Sequence, residues 1–244
     1  LQGAYNEGKE LDLYANFPAE HIVKRDKDGN WCTWDGTNGT SLITGLNGTV
    51  CCMAESLDGK IYVGGAFTNA GGVADADCIA RWNPLSEAWE AVVAGITNPG
   101  IGDQVNCLAF DANGDLYIGG FFYNIGGAGG DMIVKISNLS GTPTASVLGT
   151  GLNGQCYGIA IAPDGAVYAS GFFTSAGGVA NTAGIAKWDG TAWSALSTGI
   201  NSGTVAALAF APNGDLYIGG EFTDAAYPYL CKWNGTAFSA VGTN

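Results

Sequence analysis

The side chains in this sequence best suited to acid–base chemistry are carboxylates near the ends of predicted strands. Cleavage of a glycosidic bond needs only two carboxyl groups facing a sugar. The candidates are Asp75, Asp77, Asp103, Asp131, Glu221 and Asp224. A solvated carboxylate is the ordinary role at such positions, and the single histidine, His21, has no repeated partner. No G-x-S-x-G or H-E-x-x-H motif occurs, so no catalytic residue is assigned.

Seven cysteines offer a second kind of chemistry, at Cys32, Cys51, Cys52, Cys78, Cys107, Cys156 and Cys231. An odd number leaves at least one thiol outside any disulfide within the chain. No Cys-x-x-Cys pair suggests a thiolate metal site. Four of the seven lie on predicted inner strands, where small apolar side chains are needed, and we expect buried thiols there. A disulfide between non-equivalent repeats is the alternative, and the metal content is left unknown.

A repeat of about 50 residues must position these side chains. Four tyrosines are equivalent, and each is followed five residues later by a phenylalanine: Tyr62, Tyr117, Tyr168 and Tyr217, with Phe67, Phe122, Phe173 and Phe222. The tyrosines are 55, 51 and 49 residues apart. A fifth, decayed copy at the N-terminus keeps Phe17 and the phrase Thr44-Gly45-Leu46-Asn47-Gly48.

Within each copy the apolar residues alternate with a period of two, which predicts short strands rather than helices. Four strands per copy of this length are typical of a β-propeller blade. We therefore predict an all-β fold, a five-bladed β-propeller of four-stranded antiparallel blades without long helices. The chain forms one domain, 1–244, with blades at about 1–48, 49–98, 99–154, 155–203 and 204–244. The predicted innermost strands are Val50–Ala54, Val105–Phe110, Cys156–Ile161 and Val205–Phe210.

Aromatic and basic residues also recur once per copy. Trp82, Trp188 and Trp233 fall on third strands, and Trp31, Trp89, Trp193 and Phe238 fall on fourth strands. We interpret them as inter-blade core, with a sugar-binding stripe as the alternative. The repeated basic residues are Lys24, Arg81, Lys135, Lys187 and Lys232. We expect two of them, Lys187 and Lys232, to flank the rings or to pair with a strand-four carboxylate or a turn aspartate such as Asp189.

The formal net charge is −13, from 22 acidic and 9 basic residues. Nucleic acid is excluded as an expected partner because phosphate binding needs clustered basic residues. The only such cluster, Lys24-Arg25-Lys27, is interrupted by acids. No apolar run approaches 18 residues, so no membrane insertion is expected. Leu1 to Glu10 has neither a basic start nor an apolar stretch, and no targeting segment is predicted there.

The loops that differ most between copies predict where a partner binds. In a propeller, the connections between strands two and three share one face with the connections between blades, and rigid blades hold those loops in place. The predicted binding face carries Asp75, Asp77, Asp103, Asp131, Asn153, Asn181, Asn201 and Asp224. Such an acidic face suits a cation, a basic protein patch or a polyhydroxylated glycan. No cofactor is predicted, although a structural or ligand-bridging calcium ion would fit this chemistry.

The phrase G-G-x-F-T-x-A-G-G followed by I-A-x-W-D-G-x-x-W resembles a group of propeller repeats distantly related to the kelch and galactose-oxidase type. These repeats occur in bacterial cell-surface proteins, fungal cortical markers and bacteriophage structural proteins. The resemblance covers almost the whole chain, best in Val50 to Leu85 and Ala160 to Val241, and departs in the first blade and at Ala225-Ala226-Tyr227. It implies an extracellular, cell-surface or virion module that binds or scaffolds and has no catalytic residues to transfer.

The expected function is therefore a non-catalytic propeller that engages a protein or glycan partner, alone, as a homo-oligomer or in a larger assembly. Two alternatives stay open. One is a five-bladed propeller glycosidase with paired carboxylates, which needs a few acids in one asymmetric pocket. The other is a repeat lectin with one sugar site per blade, which needs the same polar loop residues in several blades.

Overall fold

The computed structural model describes residues 45–93, 103–123, 125, 131–200, 203–223 and 227–242, and the backbone of residues 23–25 and 31–33. Regular structure in these residues is β, apart from one 3₁₀ turn at Ala70–Gly72. None of the described residues forms a helix long and apolar enough to cross a membrane.

Sixteen of the strands form four antiparallel sheets, which we call blades I to IV. Blade I contains β3 (Thr49–Glu55), β4 (Ile61–Ala66), β5 (Ile79–Asn83) and β6 (Ala88–Ala91). Blade II contains β7 (Gln104–Phe110), β8 (Leu116–Tyr123), β9 (Asp131–Ser137) and β10 (Thr144–Val147). Blade III contains β11 (Gln155–Ile161), β12 (Val167–Phe172), β13 (Ile185–Trp188) and β14 (Trp193–Ala195). Blade IV contains β15 (Gly203–Phe210), β16 (Leu216–Phe222), β17 (Leu230–Trp233) and β18 (Phe238–Ala240).

The predicted all-β propeller fold is confirmed by this architecture. Strands are hydrogen-bonded in chain order within each blade, and the first strands β3, β7, β11 and β15 contact one another in succession. That succession places them around the axis, as predicted. A separate hairpin pairs β1 (Val23–Arg25) with β2 (Trp31–Thr33). Most of the predicted first blade lies outside the described residues, so the count of five blades and the domain bounds stay predictions.

Every first strand of blades I to IV has a bulge at the same position. The register shifts between Val50 and Cys52, Val105 and Cys107, Cys156 and Gly158, and Val205 and Ala207. Residues two apart on a regular strand share a face, whereas a bulge adds a residue and re-aims its neighbours. Val105 accordingly lies against Gly64 of blade I, while the Cys107 Sγ lies 3.8 Å from the Cys156 Sγ of blade III. The bulge thus lets one strand supply apolar side chains to both neighbouring blades.

The repeated aromatic residues whose side chains are described form the core, as predicted, and the side chain of Trp31 lies outside the described residues. Trp82 lies opposite Trp89 in the register with ring centroids 5.4 Å apart, and Trp188 lies opposite Trp193 at the same distance. Three of the tryptophans, Trp82, Trp193 and Trp233, are buried. Blade II has Ile136 opposite Ala145 instead, so aliphatic residues replace the ring pair there.

The six cysteines whose side chains are described form no disulfide with one another. Cys78, Cys107, Cys156 and Cys231 are buried, and Cys51 and Cys52 are half-buried. Burial raises the pKa of the Cys52 and Cys107 thiols well above the ordinary value. The interpretation as buried thiols is confirmed for Cys107 and Cys156 on the inner strands, whereas Cys51 and Cys52 are only half-buried. Cys32 lies outside the described side chains.

The repeated basic residues pair with carboxylates of their own blade. Arg81 Nε lies 2.6 Å from Glu90 of the fourth strand. The lysines reach the turn between strands one and two: Lys135 to Asp115 at 2.7 Å, Lys187 to Asp164 at 3.7 Å, and Lys232 to Asp215 at 2.9 Å. The side chain of Lys24 lies outside the described residues.

The expected pairing with a turn aspartate is confirmed for Lys187 and Lys232, but two details of the expectation for Lys187 are wrong. The ring beside Lys187 is its register partner Tyr168, not a tryptophan, and Lys135 lies over its own partner Tyr117 in the same way. The turn aspartate Asp189 does not pair with Lys187, because its Oδ1 accepts hydrogen bonds from the Ala192 amide and from the Thr191 amide and hydroxyl. These bonds, that of the Ala192 amide above all, lower the pKa of Asp189 to about 2.

Replacing Lys187 by alanine is expected to lower the free energy of unfolding by about 1 kcal/mol or less and to leave partner binding unchanged. The ammonium is about a third exposed and pairs with an exposed carboxylate, and solvent screens such pairs. Urea unfolding monitored by tryptophan fluorescence measures the change in the free energy of unfolding. Asp164→Ala and the double variant complete a double-mutant cycle for the ion pair. Binding lost at unchanged stability would contradict a structural role for this lysine.

Candidate functional site

Two sets of connections meet on one face of the propeller, which we call the upper face. In blade II the first residue of β7, Gln104, is paired with Phe121 near the end of β8, and in blade III Gln155 is paired with Phe172. The chain that enters a blade and the connection from its second to its third strand therefore share an edge. The turns between strands one and two lie at the opposite, lower face.

Asp77 fastens a loop of the upper face. Its Oδ1 accepts a hydrogen bond from the backbone amide of Asn69 at 2.6 Å. Asn69 itself has a left-handed backbone and begins the 3₁₀ turn at Ala70–Gly72. Asp75, two residues away, is exposed and also has a positive φ of 62°. Hydrogen bonds therefore hold the connection between β4 and β5 of blade I in a turn.

Asp77 and Asp103 are brought together around a buried thiol. The Cys78 Sγ donates to the Asp103 carbonyl oxygen at 3.6 Å, across the boundary between blades I and II. Burial, and after it the charges of Asp103 and Asp77, raises the pKa of Cys78 to about 12. The thiol is protonated at neutral pH, so it is not a nucleophile there. The grouping of these two acids on the upper face agrees with their predicted placement.

Asn153 joins the two kinds of upper-face connection. Its Oδ1 accepts from the amides of Thr174 and Ser175, and its Nδ2 donates to the Thr174 hydroxyl at 2.8 Å. Asn47 makes the same kind of contacts with Thr68 in blade I. The repeated Asn-Gly and Phe-Thr phrases are therefore bonded to each other, and this bonding stiffens the upper face.

The remaining predicted residues are placed less completely. Asn181 is exposed on the connection of blade III with a φ of 60°. Asp131 is paired through its backbone with Tyr123, and its side chain is not among those described. Asn201 and Asp224 lie outside the described residues, so their place in a binding face stays a prediction.

A set of side chains that the sequence did not single out lies at the bulges of the inner strands. The residue within the bulge is Cys51 in blade I, Asn106 in blade II, Tyr157 in blade III and Ala206 in blade IV. Positions on either side repeat apolar or small residues, because blade packing requires them. The bulge position differs in every described blade, so packing does not determine its identity.

Hydrogen bonds link these bulges from blade to blade. Gln104 donates from Nε2 to the Cys51 Sγ at 3.1 Å and to the Asn106 Oδ1 at 2.6 Å. Asn106 in turn donates from Nδ2 to the Cys156 carbonyl oxygen at 3.0 Å. In blade III the Tyr157 hydroxyl donates to the Gln155 Oε1. The result is a polar arc at the upper end of the inner strands, which crosses from blade I to blade III.

Aromatic rings stand beside this arc on the paired second strands. Phe172, the register partner of Gln155, has 63% of its surface exposed, and Tyr123 has 51% exposed. Phe121, the partner of Gln104, meets Tyr123 edge-to-face with ring centroids 6.2 Å apart. We use the name axial site for Gln104, Asn106, Phe121, Gln155, Tyr157 and Phe172.

The axial site offers hydrogen bonds and apolar surface to a ligand. Amides and a phenol donate and accept hydrogen bonds, and exposed rings cover apolar surface of a ligand. Glu221 is paired with Thr204 in blade IV as Phe121 is with Gln104 in blade II, and it adds an exposed carboxylate at the equivalent position. Among the described residues, no group of three His, Cys, Asp or Glu side chains could hold a metal ion. A calcium ion on the acidic loops stays a prediction.

The sequence contained a signal for this site. Gln104 and Asn106, and likewise Gln155 and Tyr157, interrupt strands that are otherwise apolar or small. The residue between Gly-Gly and Phe in the repeat also varies, as Ala66, Phe121, Phe172 and Glu221. Positions at which the repeat varies are candidates for a functional site. The predicted binding face was based on the loops alone and did not use this variation within the strands.

Comparison with known proteins confirms the fold. No protein-family model matches the chain, and no curated protein matches it in sequence. Among solved structures, PorZ, a surface component of the type-IX secretion system of Porphyromonas gingivalis, is 13% identical with a TM-score of 0.62, and the match covers 95% of this chain and 32% of PorZ. Virginiamycin B lyase from Staphylococcus aureus is 12% identical with a TM-score of 0.59, and the match covers 99% and 69% of the two chains.

A third similar structure is the extracellular domain of the one-component system BT4673 from B. thetaiotaomicron. It is 15% identical with a TM-score of 0.57, and the match covers 89% of this chain. This chain spans only 25% of the length of that domain. At such identities the likeness shows a shared propeller fold, and both a surface component and an enzyme are among the similar structures.

Proposed function

We propose that this chain is a non-catalytic binding and scaffolding propeller of a cell surface or virion, which engages a protein or glycan partner through its upper face. The observation that carries the proposal is the axial site, where the bulge residues differ between blades and form a polar arc beside exposed rings. Packing explains the residues that repeat, so a function is the natural reason for those that differ.

Amides beside exposed aromatic rings match the surface of a glycan. A pyranose ring has apolar C–H faces that lie on Phe or Tyr, and hydroxyls that pair with side-chain amides. Phe172 and Tyr123 offer the rings, and Gln104 and Asn106 offer the amides. The same residue types are common at protein interfaces, where aromatic anchors contribute most of the affinity.

Features of the described residues support this proposal over its two alternatives. A repeat lectin would keep the same polar residue in each blade, whereas the bulge position holds Cys, Asn, Tyr and Ala in turn. A glycosidase needs two acids facing a substrate. The Asp77 carboxylate is instead engaged by the backbone amide of Asn69, 2.6 Å away.

An extracellular setting is part of the same proposal. The resemblance of the repeat to that of surface and virion proteins supports it, and buried thiols with raised pKa values resist the oxidation that an extracellular medium would cause. The net charge of −13 keeps such a module soluble and steers it toward neutral or basic partners.

A glycan array and an array of surface-protein ectodomains, both probed with the purified chain, test the proposal. For any partner found, Phe172→Ala is expected to weaken binding at least about 30-fold, because exposed aromatic anchors contribute about 2 kcal/mol or more. The control is Leu85→Ala, which removes a side chain that is 93% exposed in the turn between β5 and β6, at the lower face.

Two results would contradict the proposal. Equal losses of binding affinity for Phe172→Ala and Leu85→Ala would show that the partner does not bind at the axial site. Cleavage of a bound glycan, detected by mass spectrometry, would show that the chain is an enzyme.

A further inference from the structure

Two of the buried thiols lie against each other across the boundary between blades II and III. Cys107 is on β7, the first strand of blade II, and Cys156 is on β11, the first strand of blade III. Their Sγ atoms are 3.8 Å apart, and the residues are 9% and 0% exposed. The two thiols therefore join neighbouring blades through side chains that are 49 residues apart in the chain.

The space in which the sulfurs meet is provided by Gly119. This glycine is the register partner of Cys107 on β8. A Cβ at Gly119 would lie 2.6 Å from the Cys156 Sγ and 2.7 Å from the Cys107 Sγ. The sulfurs of a disulfide are about 2 Å apart, so these two must approach by roughly 1.8 Å. Small rotations about the two Cα–Cβ bonds cover that distance.

Packing does not require a cysteine at position 156. The residue before the bulge is valine in the other three described blades, as Val50, Val105 and Val205. At the boundary between blades I and II, a Cβ at Gly64 would lie 2.4 Å from the Val105 Cγ1 and 2.6 Å from the Cys52 Sγ. A valine thus fills the place that Cys156 takes one boundary later. The cysteine adds a second thiol beside Cys107 where a valine would pack.

We propose that Cys107 and Cys156 form a disulfide between blades II and III when the chain folds in an oxidising medium. The oxidant is a low-molecular-weight disulfide. One cysteine thiolate attacks it to give a mixed disulfide and release one thiol, and the second cysteine thiolate displaces the other thiol. The two cysteines together lose two electrons and two protons, and the oxidant is reduced to two thiols. The proposal rests on the extracellular setting proposed above only for the source of that oxidant.

The bond forms before the two blades have packed. In the folded chain, burial raises the pKa of the Cys107 thiol well above its ordinary value, and only the thiolate attacks a disulfide. In the unfolded chain, solvent and oxidant reach both thiols. Once the blades close, the disulfide is buried and a reductant has little access to it. The folded reduced chain is therefore slow to oxidise, and the folded oxidised chain is slow to be reduced.

The cross-link would lie directly behind the axial site. Asn106, the neighbour of Cys107, donates from Nδ2 to the Cys156 carbonyl oxygen at 3.0 Å. A disulfide between the two strands fixes the distance that this hydrogen bond spans. It also restricts the unfolded chain, because a disulfide that closes a long loop removes more conformational freedom than one that closes a short loop.

Refolding of the reduced, denatured chain in a mixture of reduced and oxidised glutathione tests the proposal, with refolding in a reductant alone as the reference. We expect peptide mass mapping without reduction to show Cys107 cross-linked to Cys156. The melting temperature should rise by roughly 5–15 °C over that of the reduced chain. The same mixture added to the folded reduced chain should give the cross-link at least about tenfold more slowly.

Cys156→Val is the matched control, because blades I, II and IV already have valine at this place. It should have the same melting temperature in both media. Cys231→Ala, which keeps the pair, should retain the rise. Free thiols at Cys107 and Cys156 after refolding in glutathione, cross-links between other cysteines in their place, or a rise that persists in Cys156→Val would overturn the proposal. The first two results need only the wild-type chain.

Discussion

Gly171→Ala is expected to lower the free energy of unfolding by about 3 kcal/mol or more, a large fraction of the stability of an ordinary domain. Gly171 lies on β12 at the place of the second glycine of the repeated pair, with Ser170 in place of the first, and it is opposite the bulge of β11. A Cβ there would lie 2.0 Å from the Gln155 carbonyl oxygen and 3.0 Å from the Cys156 Cα. Both are backbone atoms, so no change of side-chain rotamer relieves the clash.

Gly165→Ala is the matched control for this variant. Gly165 lies in the turn before β12 with a φ of 84°, and a Cβ there would meet no described atom within 4 Å. Its replacement adds only the cost of a left-handed backbone, about 1–2 kcal/mol. Denaturant unfolding of both variants separates the two effects. Equal losses in the free energy of unfolding would mean that the backbone at the bulge moves to accommodate a Cβ. The close contact at Gly171 would then not constrain the residue type.

Trp193→Ala is expected to lower the free energy of unfolding by about 3–5 kcal/mol. The side chain is buried between blades II and III and contacts Trp188 with ring centroids 5.4 Å apart. Its loss leaves a large cavity and removes the hydrogen bond to the Leu148 carbonyl oxygen. Because the ring joins two blades, its removal also weakens the contact through which each blade supports the next.

Trp193→Phe separates packing from hydrogen bonding at this position. Blade IV already has phenylalanine there, at Phe238, so the fold accommodates the smaller ring. We expect a loss about half that of Trp193→Ala, measured by the same unfolding experiment. A loss for Trp193→Ala no greater than that for the exposed Leu85→Ala would contradict the inter-blade role of the indole.

Repetition made most of the fold predictable. The equivalent tyrosines, phenylalanines and tryptophans mark second, third and fourth strands at their observed places, because each blade must bury the same faces against its neighbours. A glycine on a strand permits close approach of a neighbouring strand or blade. The structure shows a further reason for the second glycine of each pair, which lies against a backbone carbonyl oxygen across the bulge.

The axial site was not predictable in the same way. A one-residue bulge decides whether Asn106 faces the axis or a neighbouring blade, and a bulge is a shift of hydrogen-bond register that alternation of residue types does not reveal. The lysine partners were also missed in part. Lys187 and Asp189 are close in sequence, but the register carries Lys187 past Tyr168 to Asp164, in the first turn of the blade.

By itself, the sequence determined the order of strands within a blade and the inter-blade core, since these depend on local period and on residues that every blade must repeat. Only the tertiary structure decided which departures from the repeat lie together. Gln104 and Asn106 of blade II reach Cys51 of blade I and the Cys156 carbonyl oxygen of blade III because the bulged first strands are adjacent around the axis. Contacts between residues about 50 positions apart depend on how the blades pack, and residue spacing along the chain does not specify that packing.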